Sequence, residues 1–177
     1  DSEPMELEDD ERASIDSEHE TASTTNPFPR PNSKIEWRYF EMLNKLQNTE
    51  GLRAANKLSN KHINFDLSKM KVKLATQLFS RSVADSFRYL RENADSFPQF
   101  ANTDGTEEFT LLIDAVFDLL NSRSILGTGT KSAIKPSNLN EKLAFMNKAK
   151  NYLLNIHVNS NQKLCNSPRK LCCIGFA

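Results

Sequence analysis

Two side chains with complementary chemistry stand one helical turn apart in the run Phe117-Asp-Leu-Leu-Asn-Ser-Arg123: the carboxylate of Asp118 and the amide of Asn121. Residues three apart on a helix share a face, so both project the same way, with Phe117, Leu119 and Leu120 as apolar neighbours. A carboxylate set in such a wall accepts from two adjacent N–H donors, which is what the edge of a guanine base presents. An amide and the guanidinium of Arg123 add contacts to base or phosphate. The same spacing also describes a solvent-facing Asp118 and an Asn121 that only closes its helix. Spacing alone leaves both open.

Other chemistries fare worse. Gly127-Thr-Gly-Thr-Lys-Ser132 places a lysine–serine pair after two glycines. A phosphate-cradling P-loop needs glycine directly before that lysine and a strand in front. Here Thr130 precedes Lys131, and a helix precedes the loop, so it reads as a helix–helix connection in which Lys131 remains able to touch a phosphate. His19, His62 and His157 are scattered, and Cys172-Cys173 lacks the two-residue gap with which paired thiolates share a zinc ion. No serine or cysteine has a base that the sequence pairs with it. Asp66, Asp85, Asp95, Asp114 and Asp118 are spread along helical stretches, without the convergence that a two-metal nuclease requires.

The elements that must position Asp118 and Asn121 follow from apolar periodicity. Ile35, Tyr39, Leu43, Leu46, Leu52, Ala55 and Leu58 recur at helical steps over 35–58, with Gly51 as a dividing point. A second helix is expected from Leu67 to about Arg91, capped by Ser68, with Met70, Leu74, Leu78, Val83, Phe87 and Leu90 on one side. Asn102-Thr-Asp-Gly-Thr106 then caps a third helix, whose first turn holds Glu107 and Glu108 at the positive end of the dipole. It carries Phe109, Leu112, Ile113, Val116, Phe117 and Leu120 and ends near Asn121–Ser122. A last helix from about Ser137 turns Leu139, Leu143, Met146, Leu153 and Ile156 inward, with Tyr152 nearby. Alternation appears only weakly, in Leu171–Ala177. The expected fold is all-α, a compact helical domain over 34–177 behind an arm over 1–33.

That arm holds ten acids against two arginines, and almost no large apolar side chains in its first twenty residues. Such a stretch buries too little surface to offset the entropy of ordering it, so the acidic part is expected to be disordered, with Pro27, Pro29 and Pro31 forming a semi-extended linker. The full chain carries 23 basic and 23 acidic residues; without 1–33 it carries 21 and 13, a net +8. The balanced total hides a basic body suited to a polyanion such as DNA or a nucleotide. Three cysteines crowded near the end do not make a disulfide framework, which points to a reduced nuclear or cytosolic setting. No stretch approaches the roughly 20 apolar residues of a membrane span.

Three blocks carry a family resemblance: Ile35-Glu-Trp-Arg-Tyr-Phe-Glu through Gly51-Leu-Arg-Ala-Ala-Asn-Lys-Leu-Ser-Asn-Lys-His-Ile, then Lys69-Met-Lys-Val-Lys-Leu-Ala-Thr-Gln-Leu-Phe-Ser-Arg-Ser-Val-Ala-Asp85, then Phe117-Asp-Leu-Leu-Asn-Ser-Arg-Ser124. In order and spacing they resemble the GTP-binding insertion region of P-element transposases and their THAP-domain relatives. The resemblance runs from about Ile35 to Phe176. It implies a helical domain inserted into an RNase H-like catalytic domain, with GTP as an assembly cofactor rather than a fuel. It further implies that Asp118 and Asn121 contact the nucleotide and that a lysine among Lys69, Lys71 and Lys73 contacts phosphate.

The sequence also departs from that family's pattern. It has no Cys-Cys-Cys-His zinc module, and the acidic, proline-rich arm stands where a strand-borne catalytic aspartate belongs. Arg169-Lys-Leu-Cys-Cys-Ile-Gly-Phe176 resembles the start of the segment returning to the catalytic fold, without the final glutamate beyond it. Strand transfer through two metal ions needs those carboxylates. The expectation is therefore a truncated or domesticated GTP-binding accessory domain that cuts and joins no DNA by itself. The alternative is a non-enzymatic DNA- or protein-interaction module that binds no nucleotide.

Overall fold

In the computed structural model of the chain, Gly51 divides the first periodic stretch. It adopts φ 68°, a left-handed conformation open to a residue without Cβ, and returns its N–H to the Gln47 carbonyl, so the first helix, α1, spans Arg38–Glu50. The structure describes residues 28–29, 33–51, 53–64, 71–158 and 162–163. Expectations for the acidic arm, for Leu52, for Leu67 to Met70 and for the terminal Leu171–Ala177 with its cysteines lie outside them.

Helix α1 buries Tyr39, Phe40, Leu43 and Leu46 on one face. Beyond Gly51 the chain makes a turn rather than more helix, and the Ala55 N–H finds its acceptor in the Gln47 side chain at 2.7 Å. A single turn, α2 (Asn60–Ile63), follows. Asn60 Oδ1 accepts from the Asn44 and Asn48 amides at 2.7 and 3.1 Å, which ties α2 to α1. His62 is buried; its Nδ1 takes the Ser59 N–H, and its Nε2 lies 3.3 Å from Gln77 Oε1, tying α2 to the next helix.

The expected second helix is two helices, α3 (Val72–Leu78) and α4 (Arg81–Glu92). Ser80 makes the break, its hydroxyl donating to the Gln77 carbonyl as its backbone turns extended. This interruption frees Phe79 to pack edge-on against Phe40 and Phe109, at 5.8 Å from each ring. Phe87 of α4 meets Phe40 edge-on at 5.2 Å. With Val83, Leu90 and Phe100 these rings form the main core, in which edge-to-face pairs add to area burial.

Helix α5 (Asp104–Asn121) runs antiparallel to α4 and in close contact with it, as Arg88 meets Glu107 and the start of α4 meets Asp114. Glu107 does more than face a dipole. It is 4% exposed; Arg88 Nε donates to its Oε1 at 2.8 Å, and Arg91 Nη1 stands 2.6 Å from its Oε2 as an ion pair off the line of a hydrogen bond. Leu120, among the apolar residues of this helix, is exposed, while Leu119 beside it is buried.

In the last helix, α6 (Leu139–Leu154), Met146 packs inward as expected and Leu153 is half-buried, whereas the expectation fails for Leu139 and Leu143. Lys142 and Ala149 are buried, with Phe145, Met146 and Tyr152 beside them against Leu112 and Val116 of α5, while Leu139 and Leu143 face outward. Burial, and then the negative Glu108, pushes the Tyr152 phenol up to about 12. Phe28 joins this second cluster, 5.5 Å from Phe145 and with Lys148 Nζ 4.2 Å over its ring. Phe28 and Pro29, on the N-terminal side of Ser33, are thus half-buried and buried. A two-residue antiparallel pair, β1 (His157–Val158) with β2 (Gln162–Lys163), follows α6. The architecture is all-α apart from that pair.

Candidate functional site

The C-terminal turn of α5 and the loop after it build one hollow. Asp118, Asn121, Ser122 and Lys131 line it, and its volume is about 160 Å³. Asp118 and Asn121 share a face, as their spacing requires. Asn121 donates its amide N–H to the Phe117 carbonyl of its own helix at 2.8 Å, leaving the side-chain oxygen as the atom not occupied by that bond. Ser122 ends the helix with an extended backbone, and its hydroxyl donates to the Lys131 carbonyl. That bond joins the helix end to the loop.

The loop is shaped by its glycines. Gly129 sits at φ 52°, and a Cβ on Gly127 would fall 2.5 Å from the Lys131 carbonyl oxygen, so the chain folds back on itself only without a side chain there. A one-turn 3-10 helix over Gly129–Lys131 delivers Lys131 to the hollow. Ser124 and Ser132 bridge side by side, with the Ala133 N–H on the Ser124 carbonyl at 2.7 Å.

One turn back along α5, Asp114 accepts the backbone N–H of Arg81 and so serves the first turn of α4, where Ser80 makes no side-chain cap. Burial first, and then the charge of Asp118, raise its carboxyl above the ordinary range. The Arg81 N–H, Arg81 and Lys131 oppose the rise. Asp118 and Lys131 thus share the hollow, with Asp114 one turn behind, and a carboxylate beside an ammonium suits a ligand edge that donates next to an anionic group.

The other expected residues are placed less closely. Lys71 precedes α3 and Lys73 lies in its first turn, both exposed, and Arg123 is exposed just past α5. None of the three lines the hollow. Lys69 lies outside the described residues. A larger hollow of about 540 Å³ lies at the α1–α2 junction, lined by Gln47, Asn48, Arg53, Asn56, Asn60 and Lys61 among others. It holds none of the expected residues. Size favours it and chemistry favours the smaller one; chemistry decides, because only the smaller hollow has a carboxylate to read a donor edge. At 160 Å³ it is below the roughly 300 Å³ of an ordinary ligand pocket, enough for part of a nucleotide. Among the described residues, no three His, Cys, Asp or Glu side chains group as metal ligands, and no helix is long and apolar enough to cross a membrane.

Sequence reasoning missed Lys142. Its ammonium is buried beneath the loop, where it donates to the Gly129 carbonyl at 3.3 Å and to the Ser132 carbonyl. A lysine on an amphipathic helix reads as a solvated residue, so no signal pointed inward.

The described residues form a helical body with a polar hollow at the end of α5. Residues 17–133 match the family model described as the TNP-like, GTP-binding insertion domain, and the chain belongs to that family. It is 31% identical over 145 residues to the human protein DNA transposase THAP9, a match covering 82% of this chain and 16% of that protein. The chain thus corresponds to about a sixth of that relative. No solved structure matches it.

Proposed function

We propose that this chain binds a guanine nucleotide at the Asp118–Asn121–Lys131 hollow without hydrolysing it, as the insertion domain of a P-element-like transposase. Asp118 takes the two adjacent N–H donors of the base edge, and the Asn121 oxygen adds an acceptor. Lys131 meets the anionic part of the ligand, with Arg123, Lys71 and Lys73 as further phosphate contacts on the surrounding surface. The observation that supports this best is that Asp118, Asn121 and Lys131 line one hollow, two of them singled out by base chemistry before any geometry. The family description of GTP binding points the same way. Calorimetric titration of the chain with GTP should give heat that Asp118→Ala abolishes and that ATP does not reproduce. Absence of heat at millimolar GTP would sink the reading.

On this reading the chain is an accessory to DNA binding and transposition, catalytically inactive alone, and nuclear. Its own residues hold a ligand and present basic surface; two-metal chemistry belongs to carboxylates that this helical body does not assemble. A second reading rests on the net +8 of residues 34–177 and on the name of the similar human protein, a DNA transposase. It makes the body a DNA-binding module that needs no nucleotide. Phosphate-driven binding falls steeply with salt, so gel shifts between low and physiological salt, with and without GTP, separate the two. Binding that ignores GTP and vanishes with salt favours the second.

A further inference from the structure

We infer that Lys142 is a positioning residue, which holds the Gly127–Ser132 loop in the arrangement that sets Lys131 across from Asp118 and Asn121. The inference rests on the proposed use of that hollow for its consequence, but not for its geometry.

Lys142 is 5% exposed, and its Nζ donates to two carbonyls of one loop, Gly129 and Ser132. No carboxylate among the described residues pairs with it. Burying an ammonium costs more than burying a methionine of similar length, unless its protons find acceptors. A group this unfavourable for packing is explained by what it holds. What it holds is the pair of carbonyls flanking Lys131, whose own carbonyl is fixed from the other side by Ser122. Asn138 adds bonds to the Ser132 hydroxyl and the Ala133 carbonyl, and so closes the exit of the loop. Gly127, where a Cβ would fall 2.5 Å from the Lys131 carbonyl oxygen, lets the loop lie this close to Lys131. With the backbone pinned on both sides of Lys131, its ammonium is presented to the hollow rather than left to sweep through solvent, which lowers the ordering cost of meeting an anion.

The carbonyls that Lys142 holds also limit the substitutes. Lys142→Met keeps the stem and its packing but removes the donors, so the fold is retained while the buried Ser132 carbonyl loses its ammonium and the Gly129 carbonyl keeps only the Ser132 hydroxyl and N–H. Amide hydrogen exchange on the full chain without ligand should then be at least about tenfold faster at Lys131, Ser132 and Ala133, since charge-assisted bonds are each worth that factor. Amides of α4 serve as the internal reference and should be unchanged. Equal exchange at the loop in both proteins overturns the pinning, whatever the protein binds.

The second arm uses GTP itself in a double-mutant cycle of Lys142→Met and Lys131→Met. If Lys142 acts through Lys131, the double variant binds GTP no more weakly than Lys131→Met alone. Losses that simply add would make Lys142 a stabiliser of the fold and overturn the positioning role. If the unaltered chain takes up no GTP, the reading of the hollow falls, and the exchange result by itself decides the pinning.

Discussion

Helix α5 packs against α4 on one side and α6 on the other, and the two contacts are built from different materials. Behind the α4 side stands the main core, with Phe40 of α1 and Val83, Phe87 and Leu90 of α4 fully buried; α5 reaches it through Phe109 on Phe79, and Glu107 sits between two guanidiniums. On the α6 side only Leu112, Val116 and Ala149 are buried as a cluster, and Lys142 holds the loop through carbonyls. Strong packing fixes the frame, whereas directional polar bonds fix the piece carrying the hollow. Few buried apolar contacts imply lower local stability, so the α5–α6 side should open before the α1–α4 side.

The largest expected effect tests the strong half. Phe87→Ala removes a ring that is fully buried and edge-on to Phe40, and it should cost about 3–5 kcal/mol in denaturant unfolding. Met146→Ala on α6, half-buried, should cost no more than roughly 2 kcal/mol, because less surface and a smaller cavity are involved. If the two losses come out equal, the contrast between the interfaces is wrong.

How far that contrast was legible in the sequence depends on the element. Gly51 marked the end of α1 correctly, because a left-handed residue after an apolar run has one common use. The break between α3 and α4 was also written there, in the five-residue step from Leu78 to Val83 among three- and four-residue steps, and it was passed over because the run on either side is helical. The face of α6 was legible only in part: Met146 packs inward as its spacing implies, but Leu139 and Leu143 face outward while Lys142 and Ala149 are buried. That choice comes from the loop carbonyls that Lys142 meets, a tertiary partner that no local pattern encodes. For the hollow, Asp118 and Asn121 followed from chemistry and spacing, and Lys131 was recognised only as a free phosphate contact. Its closeness to Asp118 depends on the loop folding back at Gly127.

A second prediction isolates the ionic part of the α4 side. Glu107→Gln keeps the size of the side chain but leaves Arg88 and Arg91 without their buried anion. Removing one member of a buried pair costs several kcal/mol, and both arginines retain some access to water, so about 2 kcal/mol is expected. A loss under about 0.5 kcal/mol, the scale of exposed ion pairs, would make the α4 side an apolar contact alone.

Asp114 sharpens the junction between the two halves, because it serves the start of α4 and sits beside the hollow. Its carboxyl is raised in the folded chain, so its ionisation resists folding. The stability it contributes is complete below the ordinary carboxylate range and is lost as pH rises through the raised value. Asp114→Asn keeps an oxygen for the Arg81 N–H and removes that titration. The variant should therefore gain on the unaltered protein as pH climbs from about 4 to neutrality, a smaller effect than that of Glu107→Gln, read from thermal unfolding across that range. A variant that instead loses ground as pH rises would mean that the ionised carboxylate stabilises α4 through its dipole more than burial opposes it.

The smallest effect is the most exacting test of how α6 is oriented. Leu143 sits one residue from the buried Lys142, and periodicity alone would turn it into the core, yet it is 51% exposed. Leu143→Ser should then change stability by less than about 0.5 kcal/mol, the scale of surface substitutions, with a further small cost for serine inside a helix. An inward leucine would instead cost about 2–5 kcal/mol. The two orientations thus differ several-fold for a single substitution. A large loss at Leu143 would turn α6 back toward its leucine face, take Lys142 out from under the loop, and with it remove the support proposed for Lys131.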